Sequence, residues 1–269
     1  MPLDKTKNKP KVSIIMNCFN GEKFLRESLK SLFDQTYENW ELIFWDNLST
    51  DNSKKILQNF NDKRVIYFCS EHFLSLYKAR NSAIQKCSGK YILFLDTDDT
   101  WVSTKIEKQV EFLENNSEYK IVYSNYYIKN EVKNKITLGY KNPLPHGFIA
   151  KKLLKNYTLG ILTVCLDKSI FKKFLFNNSY NVIGDFDFFI NVSLTEKIGC
   201  IQLPLAYYRI HTNNYSDKQI KSHIEELSNW LKNNNFLNRD YNLSLFHQKI
   251  YVFKLRVKYF LKKLKFIKI

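Results

Sequence analysis

The chain has 269 residues, 44% of them hydrophobic, with 21 Phe and 17 Tyr; that is enough for a large core and excludes a disordered polypeptide. Its net charge of +16 predicts an anionic partner, and half of that excess lies between Lys249 and Ile269, a stretch with no acid. No apolar run approaches the ~20 residues of a membrane span, Met1 to Pro10 has no apolar signal core, and five scattered cysteines (Cys18, Cys69, Cys87, Cys165, Cys200) predict reduced thiols in a cytoplasmic protein without structural zinc.

In chain order, Val12 to Met16 reads as a buried strand, followed by a helix from Glu22 to about Phe33 with Phe24, Leu25, Leu29 and Leu32 on one face. Glu41 to Trp45 is the next strand, Asp51 to Phe60 a helix, Arg64 to Phe68 a strand and Ser75 to Lys86 a helix. Tyr91 to Leu95 is the central strand, and Val102 to Glu114 with Lys120 to Tyr123 completes the series. This alternation predicts an α/β fold with a mostly parallel, doubly wound sheet flanked by helices. Lys129 to Pro145 is polar with two prolines and is expected to be a mobile loop. Ile161 to Leu166 reads as a strand, Asp185 to Leu194 as a helix, Ala206 to Ile210 as a strand, and the chain from about Ser216 as helical.

The central strand runs into Asp96-Thr97-Asp98-Asp99. Ligands of open α/β sheets bind at the C-terminal ends of the strands. Carboxylates this close repel one another, and a hard divalent cation, Mn²⁺ or Mg²⁺, relieves that repulsion and in turn holds phosphates. A plainer reading makes Asp99 or Thr100 a helix N-cap, but one carboxylate would suffice for that. Neither GxGxxG nor GxxxxGK[ST] occurs; the turn after the first strand, Asn17-Cys18-Phe19-Asn20-Gly21, has one glycine. An acidic cluster without a glycine cradle favours a nucleotide-sugar enzyme over a dehydrogenase or an NTPase.

At this point the chain resembles the inverting family 2 glycosyltransferases of GT-A fold. The resemblance rests on Val12-Ser13-Ile14-Ile15-Met16-Asn17-Cys18-Phe19-Asn20, on Ser31 to Tyr37, on Glu41 to Asp51, on Ala79-Arg80-Asn81 and on Gly89 to Asp99, in that order. It implies a GT-A domain, Rossmann-like, over residues 1–215, with a helical basic extension over 216–269. It further implies that Asn17, Phe19, Asp46, Asn47, Arg80 and Asp96 line the nucleotide, Asp46 at the nucleoside, Phe19 beside the base and Asp96 at the ribose. Asp98 and Asp99 would hold the metal, with the direct ligand between them open. Ordinary packing for Phe19 and a solvated helix face for Arg80 are the plainer alternatives. UDP is the first expectation for the nucleotide, although Asn47 stands where relatives often carry an acid.

Gly184-Asp185-Phe186-Asp187 opens a helix and resembles the family's Glu-Asp pair, whose second acid is the catalytic base. That maps onto Asp185, with glycine in place of the first acid; an N-cap is the alternative role. Asp187 competes, but two positions along a helix it points elsewhere. Tyr208-Arg209-Ile210-His211, 26 positions beyond Asp185, resembles the family's Tyr-Arg-x-His, whose His completes the metal site. The reaction implied is one in-line displacement in which Asp185 removes the proton of an acceptor hydroxyl.

Ile250, Phe253, Val257, Phe260, Leu261 and Leu264 recur at helical steps among the lysines of the tail. That pattern fits an in-plane anchor on an anionic membrane surface, or a terminal helix packing its apolar stripe on the domain. The expected protein is a peripheral enzyme of the inner membrane face, moving a sugar from a nucleoside-diphosphate donor to a glycan or lipid-linked glycan in lipopolysaccharide, capsule or related assembly. The alternatives are an inactive GT-A binding domain and a nucleic-acid-binding protein using the tail, although no RNP, KH or zinc motif is present.

Overall fold

Side-chain alternation in the first strands sets the layers. In a computed structural model, which describes residues 9–212, 214 and 219–267, β1 (Val12–Cys18) sends Val12, Ile14 and Met16 to one face, against Leu25, Leu29 and Leu32 of α1 (Glu22–Phe33). Ile15 points to the other face, towards Ala83 and Ile84 of α3 (Leu76–Lys86). With both faces covered by helices, such strands are apolar at nearly every position.

β2 (Trp40–Asp46), β3 (Val65–Cys69) and β4 (Tyr91–Phe94) pair in parallel around β1, and α2 (Ser53–Gln58) joins β2 to β3. The rest of the sheet comprises β5 (Thr100–Trp101), β6 (Ile121–Asn130), β7 (Lys135–Leu138), β8 (Val164–Asp167) and β9 (Ile198–Ile210). The strand order is β3-β2-β1-β4-β8-β6-β9-β5, with β7 on β6. Here antiparallel pairing predominates, β6 with β9 being the parallel exception. α4 (Lys105–Asn115), α5 (Ala150–Lys155) and α6 (Gly184–Ser193) complete the domain layers.

Three expectations change. Lys129 to Pro145 is not simply a loop: β6 runs on to Asn130, and a turn with Asn134 at φ 44° returns β7 along it. The hairpin is polar because its end projects into solvent while β9 satisfies the β6 backbone. The strand expected over Ala206 to Ile210 is the second half of the 13-residue β9, whose register against β6 shifts near Pro204, a residue without an N–H for the ladder. The helix expected from Val102 begins at Lys105, because Thr100 and Trp101 first pair with β9.

Among the described residues three helices follow: α7 (Ile220–Asn233), α8 (Phe236–Tyr241) and α9 (Phe246–Ile267). The expected helix start at Ser216 lies outside the described residues. Leu227, Trp230, Leu237, Leu243 and Val252 join the same apolar cluster as Phe188 and Phe189 of α6. α9 docks through Gln248, Val252 and Leu255, whereas Phe246, Ile250, Phe253, Val257, Phe260 and Leu261 stay exposed. The stripe singled out in the sequence is therefore the outward one. Leu264 and Lys263 lie outside the described side chains. Among the described residues no helix is long and apolar enough to cross a membrane. All five cysteines are free thiols.

Candidate active site

The three carboxylates after β4 go three separate ways. Asp96 accepts from Arg80 Nη2 at 3.1 Å. Asp98 Oδ2 lies 3.0 Å from His211 Nε2. Asp99, almost wholly buried, accepts the Arg209 N–H at 2.8 Å. Backbone geometry brings this about: β4 delivers the acids to the sheet edge, and the antiparallel β5–β9 pairing draws Arg209 and His211 alongside. Arg209 is buried over the Phe24 ring at 4.5 Å; it donates to Asp98 O and Glu27, and also to Glu131. Burial, then Asp98 and Asp96, pushes the Asp99 carboxyl well above its ordinary range. Asp98 is also raised, by burial and then Asp96, with His211 acting in the opposite sense.

This donor set suits one divalent cation. Two adjacent ligands of an octahedral ion at about 2.1 Å lie roughly 3 Å apart, which is the Asp98–His211 separation of 3.0 Å. Among the described residues no group of three or more acids, histidines or cysteines converges on one point. A cation held there would complete its shell with phosphate oxygens and water, as Mg²⁺ and similar ions do. Of the two acids left open in the sequence, the geometry offers Asp98 and commits Asp99 to the backbone.

The β1–α1 and β2–α2 turns brace one another. Asn20 sits at φ 53° and its side chain accepts the Thr50 N–H at 2.8 Å, while Asp51 accepts that of Glu22 at 2.9 Å. Asp46 is buried, taking the Ser49 N–H and the Tyr67 hydroxyl, each at 2.8 Å. Asn47 uses both amide atoms on Leu74, donating to its carbonyl at 2.8 Å and accepting its N–H at 3.0 Å. That clamp holds up Phe73, whose ring meets Phe19 edge-on at 4.9 Å, both rings more than half exposed. The Asn17 amide nitrogen is enclosed with no hydrogen-bond partner among the described residues. Phe73 had no sequence signal, since its contact with Phe19 closes only in the folded chain.

Asp185 occupies the first turn of α6, partly exposed. Its Oδ1 accepts the Tyr77 hydroxyl at 3.1 Å and the Phe186 N–H at 2.9 Å. Burial raises its carboxyl, while Arg80, the Phe186 N–H and Tyr77 act in the opposite sense. Arg80 is buried among Tyr77, Phe94 and Phe176, and Asp96 and Asp185 both stabilise its charge. Asp187 turns away into the core, where Trp230 Nε1 donates to it at 2.8 Å. Glu226 of α7 receives the N–H groups of Asn181, Val182 and Ile183 at 2.8, 3.0 and 3.1 Å, fastening the turn before Asp185. Tyr77 and Glu226 escaped the sequence reading, although Tyr77 lies three positions before Arg80, on the same helix face.

Residues 13–178 match the sequence model of glycosyl transferase family 2. The chain belongs to this family. Within it, the chain is 32% identical over 231 residues to the UDP-Glc:alpha-D-GlcNAc-diphosphoundecaprenol beta-1,3-glucosyltransferase WfgD of Escherichia coli, covering 82% of this chain and 87% of WfgD. It is 34% identical over 222 residues to WfaP, of the same description and organism, covering 82% and 85%. In fold it matches S. aureus TarS 1-349 in complex with UDP-GlcNAc, at TM-score 0.65 and 17% identity over 88% of this chain and 69% of that one. The mannosyltransferase PcManGT from Pyrobaculum calidifontis, in complex with GDP-Man and Mn²⁺, matches at TM-score 0.63 and 12% identity over 91% and 70%. The fold is the GT-A fold that the resemblance implied, and the enzyme class is glycosyltransferase.

Proposed function

We propose that this glycosyltransferase moves a sugar from a UDP-linked donor to a hydroxyl of a lipid-linked glycan, with inversion at the anomeric carbon. The observation that carries this reading is Arg80, which pairs with Asp96 at 3.1 Å and also stabilises, and is stabilised by, Asp185. Nucleotide side and base side thus meet at one buried cation. Phe19 and Phe73 flank the nucleobase, Asn17, whose enclosed amide nitrogen has no partner among the described residues, lies at the same strand end, and Asp96 faces the ribose. Asp46 and Asn47 act from beneath, holding the turns that carry those contacts.

Asp98 and His211 would hold Mn²⁺ or Mg²⁺, and such an ion would supply charge neutralisation for the diphosphate. Asp185 takes the proton of the acceptor hydroxyl, whose oxygen bonds to the anomeric carbon as the bond to the diphosphate oxygen breaks. Arg80 keeps positive potential beside the diphosphate. The names of WfgD and WfaP, with UDP-Glc as donor, a diphosphoundecaprenol-linked GlcNAc as acceptor and a β-1,3 product, support the choice of donor and acceptor. An acceptor in the membrane also suits α9, which shows solvent an apolar row among Lys249, Lys254, Arg256, Lys258 and Lys262. We place the enzyme at the cytoplasmic face of the membrane on this helix, which suits a lipid surface better than a polynucleotide.

Thermal stability with UDP, dTDP, GDP or CMP, each with Mn²⁺ or EDTA, tests the reading. UDP with Mn²⁺ at a hundred times Kd should stabilise by about 2.7 kcal/mol, and Asp98→Ala should abolish the shift. A shift with GDP alone would overturn the UDP assignment. Cosedimentation with anionic but not neutral vesicles, lost in Phe253→Glu/Phe260→Glu, tests the anchor.

A further inference from the structure

Gly184 stands where the resemblance leads one to expect an acid, and the space a side chain would need is filled. A Cβ added there would lie 2.5 Å from Cδ2 and from Cε2 of Tyr77. The Tyr77 ring is 2% exposed and stacks on Phe176 at 5.5 Å, so it has little room to withdraw. Its hydroxyl lies 3.1 Å from Asp185 Oδ1 and 3.2 Å from the Val182 carbonyl.

We propose that Tyr77 is the positioning residue of the general base: its ring replaces a side chain at 184, and its hydroxyl fixes Asp185 Oδ1 so that Oδ2 faces the acceptor. The inference rests on the reading of Asp185 as base. Oδ1 takes the hydrogen bonds from Tyr77 and Phe186, and among the described residues no side chain donates to Oδ2. A tyrosine has one proton for two acceptors. While Asp185 is ionised, the charge-assisted bond to Oδ1 is the stronger. Once Asp185 has taken the acceptor's proton that advantage is gone, and the hydroxyl can turn to Val182 O. The rotation lets the base change charge without moving its carboxylate. Burial and the nearby Asp185 charge raise the phenol well above its ordinary range, so Tyr77 remains a donor throughout.

The groups facing Asp185 are Arg80 and Tyr77 from α3, and Tyr157 from the segment after α5. Arg80 and the Tyr77 hydroxyl favour the ionised carboxylate. Removing the hydroxyl therefore moves the Asp185 titration upward. The experiment is ¹³C-carboxyl NMR titration of Asp185 in the full chain and in Tyr77→Phe, which keeps the ring against Gly184. The Asp185 resonance is assigned by its loss in Asp185→Asn. We expect the midpoint to rise by roughly one pH unit, the size of one hydrogen bond to a charged group, with the UDP–Mn²⁺ thermal shift unchanged. An unchanged midpoint overturns the inference. Turnover is read in parallel with UDP-glucose and a synthetic GlcNAc-diphospholipid. Asp185→Asn that still transfers sugar would overturn the base assignment itself, whereas an inactive Asp185→Asn beside a Tyr77→Phe with wild-type titration would overturn only the role of Tyr77. A second pair guards the steric half. Gly184→Ala is expected to lower Tm and turnover, whereas the same Gly184→Ala change made in a Tyr77→Leu background, where the ring is gone, is expected to cost far less Tm. A Gly184→Ala protein with wild-type Tm would show that the ring does not fill the position.

Discussion

The proposed donor side and the proposed acceptor side of the site are built by different means. On the donor side, Asn17, Phe19, Asp46, Asn47 and the acids after Phe94 lie within a few residues of the ends of β1, β2 and β4. Parallel pairing delivers those ends to one edge, so short local segments suffice. On the acceptor side, Asp185 depends on Tyr77, 108 positions away, and on a turn held by Glu226. His211 reaches Asp98 across 113 positions. Long-range packing thus governs the proposed base and metal ligand, while the proposed nucleotide contacts rest mainly on strand ends and their turns, with Phe73 brought in through Asn47 and Leu74. Substitutions remote from the cleft should therefore damage transfer while leaving nucleotide binding intact.

The strongest test of that division is Asp185→Asn. Turnover should fall by roughly 10²–10⁴-fold, with UDP affinity unchanged in calorimetry; a parallel loss of affinity would break the division. Trp230→Phe comes next, since it strips the buried Asp187 of its shorter donor at 2.8 Å beneath α6 and leaves only Asn191 Nδ2 at 3.2 Å. A cost of about 2 kcal/mol is expected, read as a Tm several degrees lower and a reduced kcat, with the UDP–Mn²⁺ shift retained. If kcat stays wild-type, the α7 contacts do not govern the base.

Phe73→Ala sharpens the comparison from the other side. Loss of about 1 kcal/mol of aromatic contact should weaken UDP binding roughly fivefold while kcat at saturating donor holds. The smallest effect on donor binding and transfer is expected at Lys105, wholly buried in α4 over Trp101 and bonded to Gln109. Burial lowers its ammonium from 10.5 to about 7. Between those values the unfolded chain holds the proton and the folded chain does not, so stability should rise with pH from about 7 towards 10.5. Lys105→Met should flatten that rise in a Tm series across pH and leave UDP binding alone.

The sheet's first half and the strand-end positions proposed for the donor were legible because each rests on a local pattern: an apolar run, a turn residue, a carboxylate cluster. β7, β6 beyond Tyr123 and β9 before Ala206 were not, since these stretches are strands only through the partners that satisfy their backbones. The tail's apolar steps showed a helix but not which side would dock; Val252 and Leu255 took the core, and Phe253 and Phe260 the solvent.

From sequence alone came the α/β class, the acidic strand end, and the nomination of Asp185 and His211 through their resemblance to family motifs. Tertiary structure alone decided that Asp98 rather than Asp99 meets His211, that Asn47 supports Phe73, and that Tyr77 covers Gly184. The physical reason is range. Spacing along a strand or helix determines which face a side chain takes, but its partner from a distant segment is chosen by packing, which no local pattern contains.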